Sequence, residues 1–187
     1  MVHRRDVARP IDVGLTMATA LVVIDVLEGI FTLPVAVDRP AAFLDVVAEL
    51  IARARRAGVP VVHVRHAGPP GSHFAEGAPG AEIHPRAQPR EGEIVVSKRH
   101  PDAFHDSSLA MALRDSSKLV ICGFASEACV DTTVRSAYAR GFSVVLASDG
   151  HTTTANPVLD AKAIVAHHNF VLARFAKVVP HDEITFD

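Results

Sequence analysis

The chain has 187 residues, 49% of them hydrophobic and 21% charged, and a formal net charge of −2. That length fits one domain with a substantial core, and the charge excludes a general nucleic-acid or anionic-membrane surface, since neither would be attracted. Two cysteines are too few for a disulfide scaffold, and they lack the C-x-x-C spacing of redox and zinc motifs. Eleven histidines make a metal site something to test.

The N-terminal stretch "MVHRRDVARPIDVGLTMAT" is basic but has no apolar core of the secretory type, and residues 1–18 read as an extension of a single domain over 1–187. Apolar runs are too short to span a bilayer, so the expectation is a cytoplasmic protein with no membrane partner. "ALVVID" (20–25) is the first buried strand. "RPAAFLDVVAELIARARRAG" (39–58) follows as a helix, with proline near its start, 3.6-type apolar spacing, an arginine-rich last turn and a closing glycine. "VPVVHVR" (59–65) is a second strand. A long Gly/Pro-rich loop fills 66–92, and a loop of that length in a compact domain points to a role at the site.

"EIVVSK" (93–98) and "KLVICG" (118–123) are further strands, separated by a short helix in "HDSSLAMALRD" (105–115). "SEACVDTTVRSAYARG" (126–141) reads as a helix capped by Ser126. "FSVVLASD" (142–149) and "AKVV" (176–179) complete the strands. Between them "NPVLDAKAIVAHHNFVLARF" (156–175) reads as a helix with Asn156 as cap and Pro157 in its first turn. The strands are Val/Ile-rich without polar alternation, as a parallel sheet covered on both faces requires. Alternating strands and helices predict an α/β fold with right-handed crossovers.

Ligands of such sheets bind outside the carboxyl ends of the strands. Asp25 ends the first strand, Lys98 another, and Cys129 follows a third by one short turn. Three strands thus deliver a carboxylate, an ammonium and a thiol to one edge. With Ser126 as cap, Cys129 falls in the first helical turn, where free N–H groups, the helix dipole and a nearby ammonium favour thiolate. Its alternative is burial against the sheet; those of Asp25 and Lys98 are capping and simple solvation. Cys122, in mid-strand, reads as a small buried hydrophobe.

The segments "ALVVIDVLEGIF", "GEIVVSKRHPDAF" and "VICGFASEACVDTTVRSAYARGFSVVLASDG" resemble, in order and spacing, the isochorismatase-like cysteine hydrolase family, which includes nicotinamidases and N-carbamoylsarcosine amidohydrolases. The resemblance implies a Rossmann-like three-layer sandwich around a six-stranded, mostly parallel sheet. It also implies a Cys129–Asp25–Lys98 triad, a cis bond between Phe124 and Ala125, and an oxyanion hole from the Ala125 and Cys129 amides. Family members usually form homo-oligomers, so a dimer or tetramer acting on a small-molecule substrate is expected.

The sequence departs from its relatives in places. Where nicotinamidases bind metal through an aspartate and histidines, Arg65 and Ala67 stand instead of two ligands and only His73 matches a third. No metal and no cofactor are therefore expected. Leu27 replaces a frequent glutamine, suggesting a less polar substrate group. Phe31, Phe104 and the 66–92 loop are candidate pocket walls, because the Asp25 and Lys98 segments run into the two aromatics. Asp149 or His151, in "SDGHTTT" (148–154), lines the site or a subunit contact, or the hydroxyls there cap the next helix. His167 and His168, adjacent in one helix, and Arg135 and Tyr138 read as structural.

The expected function is metal-independent hydrolysis of a C–N bond in a small amide, carbamoyl or lactam-like substrate through a thioester. Two rivals remain: vinyl-ether hydrolysis driven by Asp25, in which Cys129 would be dispensable, and a non-catalytic binding or assembly protein on the same scaffold.

Overall fold

The computed structural model describes residues 18–186, so the N-terminal extension lies almost wholly outside the described residues. Six strands, β1 (Thr19–Ile24), β2 (Val61–His66), β3 (Ile94–Lys98), β4 (Lys118–Phe124), β5 (Ser143–Thr152) and β6 (Lys177–Val179), form one sheet in the order β3-β2-β1-β4-β5-β6. Every pairing is parallel, so the sheet is wholly, not mostly, parallel. The strand order reverses between β1 and β4, and doubly wound sheets bind ligands at that switch point.

Helix α1 (Pro40–Arg56) covers one face, burying Phe43, Leu44, Val47, Leu50, Ile51 and Ala54. That i, i+4, i+7 stripe packs against Leu21, Val23, Cys122 and Val145. Full burial of each large side chain contributes roughly 1.5–3 kcal/mol. Gly58, at φ +70°, ends the helix in a left-handed conformation glycine adopts freely. On the opposite face lie α2 (Leu109–Ala112), α3 (Asp131–Ala139) and α4 (Ala161–Leu172). Their Leu109, Val134 and Leu172 pack on Val22, Ile24, Val62 and Ile121. Adjacent strand residues point to opposite faces, which is why Val22 and Val23 belong to different cores.

Three helix boundaries differ from the sequence expectation. The 105–115 helix shrinks to four residues. The last helix starts at Ala161, capped by Asp160, whose carboxylate accepts from the Ala163 amide at 2.7 Å. Asn156 instead closes a turn, accepting from the Val158 and Leu159 amides. Ser126 caps nothing: a wide π-type turn over Ser126–Val130 precedes α3. Its hydroxyl bonds the buried His151 ring. β5 runs on through His151 and Thr152, so 148–152 is strand and not a capping segment.

Among the described residues no helix is long and apolar enough to cross a membrane.

Candidate active site

Asp25 leaves the end of β1 at φ +51°, a left-handed conformation that aspartate tolerates better than most residues. This turn aims its carboxylate at the β1/β4 crevice. The Lys98 ammonium meets it there, 2.7 Å from Asp25 Oδ2, with the two side chains 0% and 4% exposed. The same ammonium donates to Cys129 Sγ at 3.2 Å. Three residues far apart in sequence thus meet at one point, from β1, β3 and the turn after β4. The peptide bond between Phe124 and Ala125, leading into that turn, is cis.

The electrostatics differ from the sequence expectation. Burial, and then the Asp25 charge, push the Cys129 thiol up to about 11, and Lys98 only partly offsets them. The resting residue is a thiol and not the dipole-stabilised thiolate expected from its place in a helix; the π-type turn is not a regular helix start. Burial opposes charge on Lys98 as well, but Asp25 and Cys129 outweigh it and raise its pKa. Asp25 Oδ1 is buried with no well-aligned partner, which leaves it free to accept a proton. Cys122, fully buried among hydrophobes, is pushed up to about 12.

The turn carrying Cys129 is held from behind. His151 Nδ1 lies 2.8 Å from Ser126 Oγ, and its Nε2 lies 2.8 Å from Asn169 Oδ1. Because an amide oxygen only accepts, Nε2 carries the proton and Nδ1 accepts from Ser126. Asn169 is fixed in turn by its donation to the Ser148 carbonyl. Glu127, in the same turn, accepts from Thr153 Oγ1 at 2.8 Å. His151 therefore supports the turn from the protein interior and does not line the pocket.

Beside the sulfur lies a pocket of about 220 Å³ walled by Leu27, Ile30, His66, Phe74, Phe124 and Ala128, with Asp25, Ala125 and Cys129 at its base. Leu27 is where the sequence placed it. Phe31 and Phe104 are not: the short 3-10 turn Glu28–Thr32 turns Ile30 inward, and Phe31 meets the His84 ring edge-on instead. Phe104 is buried on the α3 face, stacked on Phe142 at 5.9 Å. His66, Phe74 and Phe124 were not singled out from the sequence, although His66 and Phe74 fall within the 66–92 loop assigned to the site.

The residues matching nicotinamidase metal ligands do not fit a cation. Arg65 donates to Ser97 Oγ, and His73 Nε2 sits 3.1 Å from both the Gly29 carbonyl and Thr32 Oγ1. No three His, Cys, Asp or Glu side chains cluster to hold a metal among the described residues.

The isochorismatase domain model matches residues 19–183. The chain belongs to the isochorismatase family. Over 137 residues it is 42% identical to a streptothricin hydrolase of Streptomyces noursei, covering 72% of this chain and 49% of that protein. The chain thus spans about half the length of that relative. Among solved structures of the family, an isochorismatase from Pseudomonas putida KT2440 superposes with a TM-score of 0.85 at 32% identity, covering 90% of each chain. An N-carbamoylsarcosine amidase from Thermoplasma acidophilum superposes with a TM-score of 0.77 at 25% identity, covering 90% of this chain and 99% of its own.

Proposed function

We propose that this protein is a cysteine hydrolase that cleaves a C–N bond of a small amide, carbamoyl or lactam-like substrate without a metal. The observation that carries the reading is the contact of one buried ammonium with both the Asp25 carboxylate and the Cys129 sulfur, at the base of a pocket open to ligand. The relatives named for hydrolase and amidase activity support the amide class.

Asp25 takes the Cys129 proton as sulfur attacks the acyl carbon, and Lys98 balances the negative charge that passes from carboxylate to thiolate. The carbonyl oxygen becomes an oxyanion held by the amides of Ala125 and Cys129. Collapse of the tetrahedral intermediate breaks the C–N bond, and the departing nitrogen takes the proton from Asp25. Water then adds to the thioester with Asp25 as base, releasing the acid and returning the proton to sulfur. A thiol with a high resting pKa suits this scheme, because deprotonation occurs only as the substrate reacts.

The test is hydrolysis of a panel of small amides, carbamoyl compounds and lactams by the wild type, Cys129→Ala and Asp25→Asn. The expected result is turnover of at least one class that both substitutions abolish. Turnover retained by Cys129→Ala but lost by Asp25→Asn would instead indicate Asp25-driven chemistry without a thioester. Tight binding without turnover would indicate a binding protein.

A further inference from the structure

The apolar pocket beside Cys129 is not closed. His66, which forms one of its walls, also borders a second, larger cleft of about 630 Å³. The walls of that cleft are the 67–71 segment on one side and Arg99 on the other, with Glu76 at its rim. Beyond it, a hollow shares Ala67, Glu76 and Arg99 and adds Ser97, Lys98 and Asp106. The two sides of His66 differ in chemistry: almost wholly aliphatic and aromatic inward, whereas outward the Arg99 and Glu76 charges sit among alanine, glycine and proline residues. Pro69 and Pro70 restrict the outer wall by fixing their own φ angles.

His66 is itself suited to a threshold. It ends β2 directly opposite Lys98 in the strand register. Its ring meets Phe74 edge-on at 6.4 Å, and its buried Nδ1 finds no partner among the described residues. Leaving such a buried group unpaired is unfavourable, and a ligand's hydrogen bond would remove that penalty. Burial and the Lys98 charge hold its pKa below the ordinary imidazole value, so near neutral pH it offers one donor and one acceptor and no charge.

We propose that the two cavities form one bipartite site joined at His66. The substrate is compact and apolar on one side of the scissile bond and extended, polar and hydrogen-bonding on the other. The polar part passes His66 into the outer cleft. The inner pocket, at about 220 Å³, admits a group of about ring size, since benzene occupies an engineered cavity of roughly 150 Å³. This rests on the hydrolase reading for the identity of the bond, but its geometry is testable without turnover.

The experiment is alkylation of Cys129 in the intact chain, followed by peptide mass spectrometry with Cys122 as internal control. Two probes are compared: iodoacetamide, and an iodoacetamide whose nitrogen carries triglycinamide as an extended polar arm. The wild type labels with both at rates within about threefold of each other. His66→Phe puts a bulkier ring without hydrogen-bonding atoms at the threshold and slows the extended probe roughly tenfold or more. It slows iodoacetamide markedly less, because that small probe has no arm to pass the threshold into the outer cleft. His66→Gln, which keeps a donor and an acceptor, labels like the wild type. Exclusion of the extended probe from the wild type overturns the proposal, as does equal slowing of both probes by His66→Phe. Labelling by neither probe in a folded protein whose Cys129 reacts once unfolded also overturns it. If labelling behaves as expected but no amide is turned over, the bipartite geometry stands and the hydrolase reading fails.

Discussion

The Lys98 ammonium lies 3.2 Å from the Cys129 sulfur, yet the thiol is pushed up to about 11. Burial is the largest cause and the Asp25 charge the next, and together they outweigh the ammonium at rest. Its rate of alkylation by iodoacetamide should therefore rise with pH to at least about pH 10 without levelling. Asp25→Asn removes the negative neighbour and should shift that curve to lower pH while abolishing hydrolysis. Lys98→Ala should shift it higher. A wild-type plateau with a midpoint below about 8.5, the free-thiol value, would show that the thiolate is already formed at rest.

The Asp25–Lys98 pair is also a structural commitment, because both side chains are almost wholly buried. Removing one partner leaves an uncompensated buried charge, at a cost of about 3–5 kcal/mol. Asp25→Leu or Lys98→Met alone should lower the unfolding free energy from urea titration by that amount, while the double variant should lose markedly less than the sum. Additive losses in this double-mutant cycle would mean that the two charges are solvated independently.

Much of this arrangement could be read from sequence, because it follows from local rules. Val/Ile-rich runs without alternation mark buried parallel strands, and such strands present their final residues to one edge, which is how Asp25 and Lys98 could be placed together. The pocket lining was harder to read. Whether Ile30 or Phe31 turns inward depends on the geometry of a single 3-10 turn, and Phe104 is drawn to the opposite core by Phe142, 38 residues later. Ser126 looked like a cap because serine before a helix usually is one. Its actual partner, His151, comes from β5 and has no local sequence signal. The rise in the Cys129 pKa has no local signal either: dipole and ammonium can be inferred along the chain, whereas desolvation depends on three-dimensional packing.

Gly123, two residues before Ala125, has φ +137°, and a Cβ there would fall 2.0 Å from the Ile24 carbonyl oxygen. That collision is with the backbone of the strand that ends in Asp25, so no side-chain rearrangement relieves it. Gly123→Ala should destabilise the protein by about 3–5 kcal/mol, at the severe end for a point substitution. The alanine should also push β1 and β4 apart at the crevice, lowering hydrolysis even in molecules that remain folded. Circular dichroism with urea titration measures the first effect, and specific activity per folded molecule the second. A loss under about 1 kcal/mol would mean that β4 shifts readily there.

His151 couples the turn that carries Cys129 to pH. Burial lowers its pKa to about 4, so the fold holds the ring neutral between Ser126 and Asn169. In the unfolded chain the ring titrates near its ordinary value of about 6.5. A histidine with a depressed folded pKa contributes full stability above the unfolded value and loses it as pH falls toward the folded one. The loss should reach about 2 kcal/mol by pH 5 and about 3 kcal/mol in total. His63, also lowered by burial, acts in the same direction, while His181, raised chiefly by Asp149 against its burial, acts in the opposite one. Glu93, held at about 2 chiefly by Arg55, loses its contribution only at lower pH. His151→Gln can keep hydrogen bonds to Ser126 and Asn169 but cannot titrate. The stability gap between wild type and variant, from urea unfolding at pH 7.5 and pH 5, should therefore narrow by about 2 kcal/mol on acidification. An unchanged gap would mean that His151 accepts a proton in the fold as readily as in the unfolded chain, and that the Cys129 turn does not depend on its neutrality.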